Sequence, residues 1–170
     1  MNTTGAPSTM IRTFIPNDFP AVQEIYQLGM DTKNATFETI APNWEEWNNK
    51  FLAAPRLVTV SDGIISGWAA LSPVSSRVAY AGVCEVSVYV HPTFHGRGIG
   101  NTLLTALIEA SEKQGIWTLF ASIFPENTAS IHLHKKSGFR EIGYREKIAR
   151  RDGIWRNTVI FERRSKKTGL

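Results

Sequence analysis

The sequence predicts one mixed α/β domain, on three observations. Its 170 residues, 42% of them apolar, suffice for one well-cored domain and fall short of two. Stretches rich in β-branched residues alternate with stretches of helical period. The middle of the chain reads strand, turn, helix, strand, the arrangement in which ligands sit at the carboxyl ends of strands.

The small, polar, patternless start "MNTTGAPST" is expected to be a loose leader over residues 1–9. "DFPAVQEIYQLGM" spaces Phe19, Val22, Ile25, Tyr26 and Met30 as a first helix, with Asp18 placed to cap it. "PNWEEWNNKFLAA" predicts a second, with Pro42 at its start and Trp44, Trp47 and Phe51 on one core-facing side. "RLVTVSDGIISGWAAL" is two β-rich runs about Asp62-Gly63, a hairpin signal. After a loop of Ser, Pro and Arg, "VCEVSVYV" is another strand. Its Cys84, Val86, Val88 and Val90 point to a core face, and Glu85, Ser87 and Tyr89 to a polar one. "GNTLLTALIEASEKQG" carries Leu103, Leu104, Leu107 and Ile108 on one helical face and stops at Gly115. "WTLFASIF" is a strand, "PENTASIHLHKKSG" a helix ending at Gly138, and the rest two closing strands around Asp152-Gly153. The domain is expected over residues 10–164, with a basic tail at 165–170.

Composition narrows the function classes. One cysteine, Cys84, rules out an internal disulfide framework, and facing the apolar side with Val86 it is a poor nucleophile. The start lacks the charged and apolar blocks of a signal peptide, which points to a cytoplasmic protein. No apolar run nears the roughly 20 residues that cross a bilayer as a helix. Net charge is +4, but from Arg140 onward ten Lys/Arg face four Asp/Glu, against nine and eleven before it. That excess is either a solvated strand face and frayed tail or a basic surface for a phosphorylated ligand. Nucleic acid is not expected, because no helix-turn-helix, zinc-ligand or aromatic RNA-binding pattern accompanies the charge. His91, His95 and His132 lack a third ligand at metal-site spacing, so no metal is expected.

The turn "HPTFHGRGIGN" between strand and helix carries the chemistry. A helix N-terminus offers unpaired N–H groups and about half a positive charge. Gly96, Gly98 and Gly100 let the backbone approach an anion closely, and Arg97 adds a cation. The dinucleotide pattern G-x-G-x-x-G fails at Asn101, and no G-x-x-x-x-G-K-[ST] follows. ATP and NAD are therefore not expected. Alone, three glycines are also compatible with a tight turn and nothing more.

The constellation resembles the GNAT superfamily of acetyl-coenzyme A-dependent N-acetyltransferases, whose pyrophosphate loop reads Arg/Gln-x-x-Gly-x-Gly/Ala after the fourth strand. Here His95-Gly96-Arg97-Gly98-Ile99-Gly100 matches both glycines, while His95 replaces the usual Arg or Gln. "ENTASIHLHKKSGF" resembles the segment where an Asn and a Ser contact the cofactor and Tyr-x-x-x-Gly-Phe follows, with His134 in the Tyr position. "ATFE", "SRVAY" ahead of "EVSVYV", "NTASIHLH" and "DGIWRN" together resemble the phosphinothricin and methionine sulfoximine N-acetyltransferases, including arsinothricin-acetylating relatives, over about Ile11 to Arg164.

The resemblance implies the GNAT fold, a central mixed, mostly antiparallel sheet with helices on both faces. It implies acetyl-coenzyme A as co-substrate, contacted by Val88, Tyr89, Val90, His95, Gly96, Arg97, Gly98, Ile99, Gly100, Asn101, Asn127 and Ser130. On its position alone Glu85, a carboxylate inside a β-rich strand, is either an ion-pair partner or part of a site. The resemblance makes it the general base. It makes His134 a candidate donor to the departing thiolate, the alternative being a hydrogen-bonded helix histidine. Phe37, Arg77, Tyr80 and Ser87 would bind a small amino-acid-like substrate, Arg77 taking its carboxylate. Trp155 and Asn157 lie in the closing hairpin, where family members form a homodimer and border the pocket. A protein or peptide N-acetyltransferase and a non-catalytic acetyl-coenzyme A-binding module are the alternatives.

Overall fold

In the computed structural model, which describes residues 8–170, strands β1 (Thr9–Thr13), β2 (Arg56–Ser61), β3 (Ile64–Pro73), β4 (Val83–Val90), β5 (Thr118–Ile123), β6 (Arg140–Arg151) and β7 (Ile154–Arg164) form one sheet. Their spatial order is β1-β2-β3-β4-β5-β7-β6. Each pairing is antiparallel except β4 with β5. That parallel pair needs a long crossover, supplied by helix α3 (Ile99–Lys113). Helices α1 (Phe19–Asp31) and α2 (Trp44–Lys50) precede β2, and α4 (Thr128–Lys136) joins β5 to β6. This is the expected mixed sheet with helices on both faces. Most of the expected leader, residues 1–7, lies outside the described residues, and its last residue, Thr9, already pairs with Ser61.

The two faces carry separate cores. Ala69 and Leu71 of β3 with Cys84 and Val86 of β4 pack under Leu103, Leu104 and Leu107 of α3. Each of these leucines, fully buried, contributes about 1.5–3 kcal/mol relative to exposure. On the opposite face Trp68 and Ala70 meet Val22, Ile25, Tyr26 and Met30 of α1 and Trp47 of α2. The face of β4 expected to be polar is polar only in part. Tyr89 stacks on Trp68, with centroids 5.2 Å apart and planes 15° off parallel, and α1 makes room for it at Gly29, where a Cβ would lie 2.6 Å from the ring.

Both hairpins turn where expected. Asp62 and Gly63 have φ of 53° and 80°, Asp152 and Gly153 of 50° and 77°, the paired positive φ of a tight hairpin. Asp18 does not cap α1 with its side chain. It is taken instead by Arg12, at 2.8 and 2.9 Å, and by the Ile15 N–H at 2.9 Å. The cap of α2 is Asn43, boxed with Glu46, and the helix ends at Lys50 because Phe51 turns extended to enter the core. The chain end folds back: Ser165 is buried and donates to Glu112 at 2.9 Å, and Arg163 and Lys167 pair with the same carboxylate. No helix of the described residues is long and apolar enough to cross a membrane.

Candidate active site

The register places the site. β4 pairs with β5 only from Val83 to Glu85, yet β4 runs on to Val90 and β5 to Ile123. The strands therefore part just past Glu85, and a cavity of about 700 Å³ opens between them, lined by β4 from Glu85 to Val90 and by β5 from Phe120. Backbone groups on the parted edge of β4 have no neighbouring strand. Both strands end on this cavity, as the strand–helix–strand unit requires.

Glu85 sits at the fork, half-buried. Burial pushes its carboxyl above the usual carboxylate range; Lys50 and Arg145 draw it back, and Glu38 pushes it further up. Glu38 and Lys50 form a network with Tyr26: the Tyr26 hydroxyl donates to Glu38 at 2.9 Å, and the Lys50 ammonium donates to Glu38 at 2.8 Å and to the Tyr26 oxygen at 3.2 Å. Burial pushes the Tyr26 hydroxyl up as well, so it serves as a donor. Cys84 faces away, and burial raises its thiol, which suits an inert core residue.

The glycine turn is open where an anion would approach. Gly96 and Gly98 both have φ of +75°, and a Cβ on either would meet nothing within 4 Å. The first bond of α3 runs from the Thr102 N–H to the Gly98 carbonyl at 3.0 Å, which leaves the N–H groups of Ile99, Gly100 and Asn101 outside the helical ladder. Arg97 is exposed, its guanidinium 5.1 Å from the Phe94 ring. Where His95 replaces Arg or Gln, its Nε2–H donates to the Val90 carbonyl at 2.9 Å and ties the turn to the end of β4. Gly100 packs closely, a Cβ there lying 3.4 Å from Leu133 of α4.

On α4, Asn127 caps the helix by accepting from the Ser130 N–H at 3.2 Å. Its amide also donates to the Asn34 carbonyl at 3.1 Å. The buried His134 holds the Ser130 carbonyl at 2.7 Å through Nδ1. That contact makes Nδ1 the protonated nitrogen and leaves Nε2 a lone pair, and burial lowers the pKa, favouring the neutral ring.

The acetyltransferase (GNAT) family matches residues 19–139. The chain belongs to the GNAT acetyltransferase family. A phosphinothricin N-acetyltransferase of Alcaligenes faecalis is 36% identical, the match covering 90% of this chain and 81% of that one. A phosphinothricin acetyltransferase of Sinorhizobium meliloti, solved with acetyl-coenzyme A, superposes with a TM-score of 0.84 at 26% identity, over 95% of this chain and 90% of that one. A ribosomal-protein-alanine N-acetyltransferase of Brucella melitensis gives 0.84 at 30% identity, over 92% and 99%. This GNAT protein is an acetyl-coenzyme A-dependent N-acetyltransferase.

Of the residues singled out in the sequence, Phe37, Glu85, Ser87, Val88, Tyr89, Val90, His95, Asn127, Ser130 and His134 all line the one cavity, and Gly96 to Asn101 continue from His95 beyond its lining. Arg77 and Tyr80 are not brought there. They are exposed on the β3–β4 connection, the guanidinium 5.3 Å from the Tyr80 ring. Trp155 and Asn157 also lie outside it, Trp155 half exposed under Arg150 and Asn157 accepting from the Lys147 N–H at 2.7 Å. The sequence reading missed Tyr26, Glu38, Lys50, Arg145 and Arg151. Only Glu38 carried a signal, as the last residue of "ATFE". Arg151 is buried and donates to the carbonyls of Thr36, Glu38 and Met30 at 2.6, 3.1 and 2.7 Å. Arg156 donates to the Lys33 carbonyl at 2.8 Å. The segment carrying Phe37 and Glu38 is thus held by the β6–β7 hairpin and by Asn127. Among the described residues no group of three or more His, Cys, Asp or Glu could hold a metal.

Proposed function

We propose that the protein acetylates the α-amine of a small amino-acid-like acceptor, of the phosphinothricin, methionine sulfoximine or arsinothricin type, with Glu85 as general base. The observation that carries this reading is the position of Glu85 at the fork of β4 and β5, in a cavity whose burial raises its pKa. An α-amine has a reference pKa of about 7.7–8.0 and is unreactive while protonated. Glu85, directly or through a water, takes its proton as the nitrogen attacks the thioester carbonyl carbon, and the raised pKa makes it a better base than an ordinary Glu. The carbonyl oxygen gains charge and is met by backbone N–H groups of β4 near Val88. The C–S bond then breaks and sulfur leaves as a thiolate, for which His134 is the proposed donor. The resting ring is neutral, so it delivers a proton only after taking one up, and its contribution falls as pH rises.

The deciding experiment is thiol release from acetyl-coenzyme A across amino-acid analogues, peptides and polyamines. Turnover confined to small amino acids supports the reading, and turnover confined to peptides overturns it. Arg77 lies outside the cavity lining, so Arg77→Ala is expected to leave KM for carboxylate-bearing amines unchanged; a rise in KM confined to those amines would return Arg77 to substrate binding. Gly98→Val should weaken acetyl-coenzyme A binding at least about tenfold, because a β-branched residue resists the left-handed conformation and would crowd the cradle that the glycine turn offers a diphosphate. Calorimetry giving unchanged affinity would contradict the cradle.

We also read the protein as a cytoplasmic homodimer. Exposed Tyr144, Ile154 and Trp155 on the β6–β7 hairpin support self-association there. Sedimentation as a monomer at micromolar concentration would remove it.

A further inference from the structure

We propose that Arg145 receives an oxyanion of the acceptor, and so sets which amino acids the cavity selects. The inference rests on the amino-acid acceptor reading above.

The strand that carries Arg145 is built irregularly. β6 and β7 are in register at Arg145↔Thr158 and again at Ala149↔Arg156, so four steps on β6 are matched by two on β7. In a regular strand residues 145 and 148 face opposite ways, as do 148 and 149. Here Arg145, Ile148 and Ala149 all line the cavity. The bulge achieves this by re-aiming the strand, and it is pinned: Lys147 has φ of 44°, and its N–H is held by the Asn157 side chain at 2.7 Å.

The charges of the cavity are otherwise accounted for. Lys50 is committed to Glu38 and Tyr26. Glu85 faces the acceptor amine in the reading above. Among the described residues Arg145 forms no ion pair and no side-chain hydrogen bond, although Glu85 feels its charge. The proposal places the amine of the acceptor at Glu85 and its oxyanion at Arg145, both of which line the cavity. The planar guanidinium suits two-point recognition of a carboxylate or a phosphinate. The α-carboxylate common to all amino acids and an acidic side-chain group present the same chemistry, and the experiment separates them.

Thiol-release kinetics of Arg145→Gln would be measured with three acceptors: phosphinothricin, which bears carboxylate and phosphinate; methionine sulfone, which bears carboxylate alone; and the amine left when methionine sulfone loses its carboxylate. Acetyl-coenzyme A affinity, by calorimetry, should stay at the wild-type value and report an intact fold. KM for phosphinothricin should rise about tenfold or more with kcat changed less, the amine should be unaffected, and Arg145→Lys should recover part of the loss. A matching rise with methionine sulfone identifies the α-carboxylate as the bound group, and no rise there identifies the side-chain phosphinate. Equal loss with all three acceptors, or loss with none, overturns the proposal alone. Wild-type enzyme inactive on all three would overturn the acceptor reading and this proposal with it.

Discussion

Glu85→Gln is expected to lower kcat about 10²- to 10⁴-fold, the range of a positioned general base, while acetyl-coenzyme A affinity stays as in the wild type. The amide keeps the shape of the carboxylate and cannot take a proton. Burial raises the Glu85 pKa, and only the ionised form is a base. Wild-type kcat/KM should therefore fall as pH drops through a value above the ordinary carboxylate range, and this limb should vanish from the residual activity of the variant. Stability moves the other way. A carboxyl whose folded pKa exceeds its unfolded value weakens the fold on ionisation, and this loss begins as pH rises past the unfolded pKa and is complete above the folded one. The glutamine variant should thus be at least as stable as wild type at neutral pH, with the difference gone in acid. Calorimetric melts at two pH values check the stability, and pre-steady-state acetyl transfer checks the rate. A variant that turns over at the wild-type rate near neutral pH removes Glu85 as base.

Arg151→Met is expected to have the second-largest effect, through the acceptor side alone. The buried guanidinium supplies hydrogen bonds to three backbone carbonyls, of Met30, Thr36 and Glu38, and Asp152 balances its charge at 3.3 Å. Methionine fills much of the space and supplies none of these donors. Hydrogen bonds to charged groups contribute about 1.5–3 kcal/mol each, so a loss on the order of 3 kcal/mol is expected after relaxation and water entry. It should fall on residues 30–38, where Phe37 and Glu38 are positioned. KM for the acceptor should rise well beyond any change in acetyl-coenzyme A affinity, and amide exchange should speed up across that segment. Arg151→Lys should recover little, because one ammonium cannot span the carbonyls that the guanidinium fork reaches. Unchanged exchange over residues 30–38 would show that the hairpin does not hold them.

The separate elements were legible in the chain because each rests on neighbours a few residues apart. The apolar spacing of α3, the Asp-Gly turns and the glycines ahead of Ile99 are local patterns, and the structure keeps all of them. Asp18 and Phe51 departed from their local signals. Arg12 of β1 offered the Asp18 carboxylate a stronger partner than the helix N-terminus did, and Phe51 leaves the helix while packing on Trp68 of β3 as well as on Trp47 of its own helix.

The sequence by itself determined the α/β order, the glycine turn and, through the resemblance, the family and its co-substrate. Only the tertiary structure decided how the acceptor side is furnished. Lys50, Arg145 and Arg151 come from α2 and β6, far from the glycine turn, and no periodicity links them. They meet because β4 and β5 part after three paired residues, because a bulge turns β6 inward, and because a buried guanidinium finds its carbonyls more than a hundred residues away. Short-range spacing encodes which way a side chain leaves its own backbone. Which distant groups share a cavity is set by strand register, which exists only once the sheet has formed.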